Sequence, residues 1–300
     1  MERESQQQPK TENMMRNYSK LLGALAATSA LAAGSAFAGS PVMTPAPTQT
    51  ASACDSALEG NVHVGYASEY IFRGTELGDD LFEAGLDLSY KAFDLNFSGG
   101  FWYGSVSDSR IGNGVFGPVN LPDHFDELDV YGEVSKDFGF ATAYVGYIWY
   151  HYPDMEISAP GGSVKLIDDA QEIYFGLSRE LFWGVNGSLT YYWDVETDNQ
   201  GYTELGFEKS FEFTPCISLD LGTKFGYLIE EGDFSHWTTS AQLNFKVKEN
   251  FTVSPYVACS VELDGLEDYG SFNVPGGALF GLSPNEGNNL VAGIKASVSF

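Results

Sequence analysis

Ala292-Gly293-Ile294-Lys295-Ala296-Ser297-Val298-Ser299-Phe300 closes the sequence. Ala292, Ile294, Ala296, Val298 and Phe300 share one face of an extended chain, and Gly293, Lys295, Ser297 and Ser299 share the other. That is the period of a strand with one apolar and one wet surface. Chain ends are ordinarily loose and polar unless something ties them down. An alternating run carried through to an aromatic residue therefore predicts a last strand that is paired, in a sheet that closes on itself.

Working back from that end, about a dozen segments of the same kind fill the chain from Asn61 onward, each near the 9 to 11 residues that a tilted membrane-crossing strand needs. They read NVHVGYASEYIF, LFEAGLDLSY, DLNFSGGFWYG, ELDVYGEVS, FATAYVGYIWY, QEIYFGLS, VNGSLTYYWD, TELGFEKSF, ISLDLGTKFGY, TSAQLNFKV, FTVSPYVACSV and NLVAGIKASVSF. Their connections alternate between short (KAF, KDFG, RELFWG, KSFEFTPC, KEN) and longer (GTELGDD, Ser105 to Asp126, His151 to Asp169, VETDNQG, LIEEGDFS, Glu262 to Gly287). The expectation is an all-β fold: a transmembrane, antiparallel, up-and-down β-barrel of about 12 strands with short periplasmic turns and longer extracellular loops. A barrel also satisfies every backbone donor and acceptor, which an open sheet in hydrocarbon cannot.

The short turns repeat a cation beside a ring: Lys91 and Phe93, Lys136 and Phe138, Arg179 and Phe182, Lys209 and Phe211, Lys248 and Phe251. Amphipathic rings and snorkelling bases suit a water/lipid boundary. Between the ends, alternation sends Leu86, Leu88, Tyr90, Phe97, Phe101, Tyr103, Leu189, Tyr191 and Trp193 toward lipid.

The first 38 residues have a different character. Arg16 and Lys20 precede an apolar run from Leu21 to Ala33, and Ala36-Phe37-Ala38 precedes Gly39, the layout of a secretory signal peptide cut after Ala38. Met1 to Asn13 sit ahead of that pattern, and a start at Met14 or Met15 is expected. Residues 39–60, rich in Pro, Thr, Ala and Ser, read as a flexible periplasmic lead-in, and residues 61–300 as the barrel. Cys54 and Cys216 could pair after export, or all three cysteines, with Cys259, could remain thiols.

A net charge of −26 excludes a nucleic-acid partner, since a phosphate backbone selects clustered Lys and Arg. The inward phase collects Glu69, Glu83, Asp87, Glu127, Asp129, Glu133, Glu172, Asp194, Glu204, Glu208 and Asp220 against Arg73, Lys224, Lys246 and Lys295. An acidic lining favours cations over anions, and it can equally solvate a lumen or pair across strands. Trp102, Tyr131, Tyr144, Tyr174, Tyr192 and Tyr256 share the inward phase, and the Glu262 to Gly287 connection is long enough to fold into the mouth. The expected function is a narrow, passive, cation-preferring channel for small cationic or neutral solutes. The rival is a non-conducting structural or adhesive barrel acting through its outer loops.

Ser68-Glu69-Tyr70-Ile71-Phe72-Arg73-Gly74 resembles the S-[DE]-Y-x-F-R-G segment of the TorF-type porin family, bacterial outer-membrane proteins described mostly as of unknown function. Leu86 to Tyr90 and Glu127 to Val134 resemble acidic strands of that family. The resemblance implies an outer-membrane barrel and a pore, without a substrate. By hairpin geometry through GTELGDD, Arg73 is expected diagonal to Glu83, with Tyr70 and Phe72 in the outer aromatic girdle. Phe300 with Val298 resembles the terminal signal that hands such barrels to their insertion machinery. Lipid, and lipopolysaccharide bridged by divalent cations, are the remaining expected partners.

Catalysis is not expected. Nucleophilic chemistry needs a serine within reach of an oriented histidine. Of His63, His124, His151 and His236, only His236 adjoins a serine, Ser235, and strand neighbours face opposite sides. His151, Asp154 and Glu156 lack the fixed spacing of a metal site, so neither a metal nor a cofactor is expected.

Overall fold

The computed structural model describes residues 58–109, 123–153, 156–159, 162–165, 168–196, 201–265 and 288–300. Its strands are β1 (Leu58–Phe72), β2 (Thr75–Ala92), β3 (Leu95–Ser107), β4 (His124–Asp137), β5 (Thr142–His151), β6 (Glu156–Ala159), β7 (Gly162–Lys165), β8 (Ala170–Glu180), β9 (Asn186–Asp194), β10 (Tyr202–Thr214), β11 (Ile217–Leu228), β12 (Asp233–Lys248), β13 (Phe251–Glu262) and β14 (Asn289–Ser299). β6 and β7 pair only with each other, inside the connection between β5 and β8. The other twelve close into an antiparallel barrel in the order β1-β2-β3-β4-β5-β8-β9-β10-β11-β12-β13-β14. Each of the twelve alternating segments of the sequence lies on one of these strands.

Closure comes from the segment quoted first. β14 pairs with β1 from Ala67 opposite Gly293 to Asn61 opposite Ser299. The ladder ends in two backbone bonds between Gly60 and Phe300, each 2.9 Å. The Phe300 ring lies over Gly60 so closely that a Cβ there would stand 2.4 Å from it. A larger residue at that closing point has to move the Phe300 ring aside.

The wall divides as the period of two dictates. Val62, Val64, Phe97, Phe101, Tyr103, Leu189 and Trp193 are exposed on the outside. Trp102, Tyr131, Tyr174, Tyr192 and Tyr256 are buried on the inside. At the short-turn end, Phe93, Phe138, Phe182 and Phe211 are exposed. Lys136 Nζ sits 5.8 Å above the Phe138 ring, and Lys209 Nζ sits 4.9 Å above that of Phe211. At those two turns the cation-and-ring repeat has a physical form: a base laid over an exposed ring at one rim.

The connection GTELGDD is not a loop. β2 begins at Thr75, directly opposite Phe72, leaving Arg73 and Gly74 as a two-residue turn with φ of 49° and 89°. Positive φ at both central positions is the turn that matches strand twist. Its second position suits glycine, and its first is costly for arginine. Below the turn the ladder is twice interrupted: β1 shifts register against β2 between Tyr70 and Ile71, and β2 shifts against β3 between Asp79 and Phe82. Asp80, between those two β2 positions, has φ 49°. Such bulges bend a strand and sharpen its twist.

Above the bulges every residue from Tyr70 to Gly78 is buried. Wall strands expose alternate residues, so burial on both faces means that the tip of this hairpin has left the wall and folded into the barrel. Tyr70 and Phe72 are therefore not in an outer girdle; they are 0% and 2% exposed within the interior. Gly78 permits the bend, because a Cβ there would stand 2.5 Å from Val106 Cγ1 and 2.9 Å from the Ser107 carbonyl oxygen.

Candidate functional site in the barrel interior

The inturned tip crosses the bore. Tyr70 passes over β3 and β4, its ring 5.8 Å from Trp102 and 6.0 Å from Phe125, and its hydroxyl donates to Glu127 Oε2 at 2.7 Å. Phe72 meets Tyr150 of β5 edge to face at 6.2 Å. Arg73, at the apex, reaches β8, β9 and β10, which include the strand diametrically opposite β1 in the ring order. Its Nη1 and Nη2 donate to Glu172 Oε1 and Oε2 at 2.8 and 2.7 Å. The guanidinium carbon lies 4.2 Å from the Tyr202 ring centroid, 4.6 Å from that of Tyr192 and 4.9 Å from that of Phe72. Tyr150 also donates to Glu172 Oε2, at 2.9 Å.

Arg73 is thus not diagonal to Glu83 as the hairpin geometry predicted. The bulges carry it across the barrel, and Glu83 takes a different partner: Lys295 Nζ stands 3.1 Å from Glu83 Oε1, and Trp102 Nε1 donates to Oε2 at 2.7 Å. A third pair joins Lys224 to Glu204 at 3.0 Å. Lys246, by contrast, is exposed beyond these pairs, on the part of β12 leading to the short turn at Glu249.

The acids fall into two groups. Glu83, Glu172 and Glu204 hold cations. Glu127, Asp129, Glu133 and Asp220 are buried on the inner face with no basic partner among the described residues. Tyr174 donates to Glu133 at 3.1 Å, and Asn244 donates to Asp220 at 2.5 Å. Asp129 is 0% exposed, and its carboxyl group meets that of Glu127. It stands two residues from Glu127 on the same face of β4. Asp87 is partly buried against Tyr131 and lies 3.6 Å from His63 Nδ1. Asp194 is buried on β9, where its carboxylate accepts from the Glu196 N–H at 2.9 Å, and Glu69 and Glu208 are partly buried on β1 and β10.

The Ser235 and His236 expectation is corrected. The ladder between β11 and β12 shifts register at Gly226 and Tyr227, which skips Ser235, and both side chains are buried beside Gly226. They still do not pair. His236 Nδ1 lies 3.0 Å from Thr238 Oγ1 and Nε2 lies 3.1 Å from the Tyr202 hydroxyl, while Ser235 Oγ has no hydrogen-bond partner among the described residues. A nucleophile without a base in reach is not activated. In the outer connection, His151 Nδ1 lies 3.0 Å from Asp169. Asp154 and the Glu156 side chain lie outside the described residues, as do Cys54 and positions 266–287 of the longest connection. Cys216 is exposed with a free thiol.

The residues that sequence reasoning missed are Tyr150, Tyr152 and Tyr202, all buried inside, together with the inward turn of Tyr70, Ile71 and Phe72. One signal was available. Tyr-Ile-Phe breaks the alternation of a wall strand, and Arg-Gly directly after it is short enough to be a hairpin turn by itself.

The chain matches, over residues 51–264, the family described as "Bacterial protein of unknown function (Gcw_chp)", and it belongs to that family. No curated protein matches it. Similar solved structures include the KdgM porin, 9% identical with a TM-score of 0.41, covering 80% of this chain and 99% of that one. The COG4313 outer membrane channel from Pseudomonas putida F1 is 12% identical with a TM-score of 0.45, covering 81% and 95%. The NanC porin is 10% identical with a TM-score of 0.42, covering 80% and 98%.

Proposed function

We propose that this member of the Gcw_chp family is an outer-membrane channel, narrow and passive, that prefers cations and passes small cationic or neutral solutes. The observation that carries the reading is the charge balance of the inner wall. Arg73, Lys224 and Lys295 are each already paired, and among the described residues Glu127, Asp129, Glu133 and Asp220 have no base beside them. Ionised carboxylates on the wall of a pore draw cations in and repel anions. The outward apolar band and the rim of exposed rings support insertion in a bilayer. The TorF-type resemblance of Ser68 to Gly74 fits the same role. Assembly through the Phe300 signal and contact of the outer loops with lipopolysaccharide belong to this reading.

The test is single-channel conductance of refolded protein in a planar bilayer under a potassium chloride gradient. Discrete steps with a reversal potential on the potassium side are expected. An anion-selective reversal would remove the charge argument.

A second reading, a non-conducting structural or adhesive barrel, is favoured by one observation: the β1–β2 tip lies across the bore. It predicts no current steps from protein that a heat-dependent gel shift shows to be folded, even when Arg73 is replaced by alanine.

A further inference from the structure

The contact of Arg73 with the far wall separates into a socket and an occupant. The socket belongs to the wall. Glu172 from β8 supplies two carboxylate oxygens, Tyr150 from β5 donates to one of them, and Tyr192 from β9 and Tyr202 from β10 present ring faces. Glu172, Tyr150 and Tyr202 are fully buried and Tyr192 nearly so. The occupant arrives from the opposite side, on a two-residue turn whose arginine holds a φ of 49°. A non-glycine residue held in that region is strained and persists only where its surroundings fix it.

The chemistry of the socket is selective. A planar fork of N–H donors matches a carboxylate at both oxygens, and the flat face of a guanidinium stacks on rings. An ammonium is a point donor and satisfies neither feature as well. We propose that Glu172, Tyr150, Tyr192 and Tyr202 form a guanidinium-binding subsite of the bore, occupied in this structure by Arg73 and open to guanidinium-bearing solutes that displace it. As a subsite of a bore it rests on the channel reading above; as a binding site it does not. A displaced Arg73 releases the tip of the hairpin from the far wall, so the solute that fits the socket also clears its own path. Because Arg73 is tethered, it competes at an effective concentration of about millimolar or above. Free solute must therefore bind the wild type far more weakly than it binds a protein whose socket has been emptied.

The experiment is calorimetric titration of refolded, detergent-solubilised protein with methylguanidinium, and with methylammonium at matched ionic strength. Arg73→Ala should show saturable binding of methylguanidinium at least tenfold tighter than the wild type and at least tenfold tighter than its binding of methylammonium. Adding Glu172→Gln should abolish it. No saturable binding by Arg73→Ala, or equal binding after Glu172→Gln, overturns the proposal. Should Arg73→Ala fail the gel-shift test of folding, Arg73→Lys keeps a charge but offers a poorer occupant. It should bind methylguanidinium more tightly than the wild type, and equal affinity overturns the proposal. Bilayer recordings on the same variants separate the two readings. Binding without current supports the socket and removes the channel, whereas current without binding supports the channel and removes the socket.

Discussion

Glu172→Gln should release the β1–β2 tip from the far wall without unfolding the barrel. The substitution keeps the shape of the side chain and removes the charge that faces a guanidinium enclosed by Phe72, Tyr192 and Tyr202. Taking one partner from a buried ion pair destabilises the buried state by about 3–5 kcal/mol, because the other charge is left uncompensated. The lower end applies here, since the ring faces around the guanidinium remain in place. The remaining ring contacts, at about 0.5–2 kcal/mol each, hold the tip only in part. The wall ladder from β1 through β14 does not involve Glu172 and the Arg73 turn together, so the cheapest response is local. About 3 kcal/mol corresponds to about a hundredfold rise in the undocked population. The assay is thiol labelling at Thr75→Cys, a position 1% exposed beside the turn, in a background of Cys54→Ser, Cys216→Ser and Cys259→Ser, with a membrane-impermeant maleimide. Labelling should accelerate about a hundredfold on adding Glu172→Gln, while the heat-dependent gel shift stays as in the parent. A change below about threefold would refute the view that this ion pair holds the tip.

Gly78→Val places a side chain where Val106 Cγ1 and the Ser107 carbonyl already stand; the tip should no longer fold in, and Thr75→Cys should label as fast as in Glu172→Gln. Gly60→Val meets the Phe300 ring at the closing seam, so the heat-modifiable folded fraction should fall severalfold, and Phe300→Ser should lower it comparably through loss of the seam's last contacts. Asp87→Asn removes a carboxylate whose side chain is 38% exposed on the inner face; a unit charge about 4 Å from a hydrated cation contributes about 1 kcal/mol even at the dielectric of water. The cation-to-anion permeability ratio, read from the reversal potential, should drop about fivefold, and an unchanged ratio would mean that Asp87 does not face the conduction path.

The wall was legible because its physics is local. Alternation at a period of two sets which residues face out, and twelve such runs with short turns at one end leave little choice but a closed sheet. Ala292 to Phe300 already implied the pairing with Asn61 to Ala67 that closes it. The interior was legible in phase but not in partnership. Trp102, Glu83 and Lys295 sit on strands whose spatial order follows from sequence order, yet the partner of Arg73 stands 99 positions away on the opposite wall. No pattern of period two encodes a strand that leaves the sheet. The bulges at Tyr70 and at Asp79 to Phe82 decide it, and a bulge is one unpaired residue whose signature is a backbone angle, not a residue type. Ser235 beside His236 turned on that same feature, and there reasoning by alternation placed the two side chains on opposite faces wrongly.

The kind of contact that holds the tip bears on how readily it could move. An apolar plug seated on apolar walls would cost about 25 cal/mol for every Å² exposed on withdrawal. A buried ion pair behaves differently: the two charges gain each other's attraction and lose their hydration, and the two terms nearly cancel. Withdrawal of Arg73 into water returns both hydration shells, so the pair itself opposes opening only weakly. Breaking the pair by substitution strands a charge in the closed state alone. The same contact can therefore be cheap to open and expensive to mutate, which is why Glu172→Gln is the sharper probe of the latch and why an acidic, ring-lined socket, unlike a greasy one, suits a tip that has to yield to a solute.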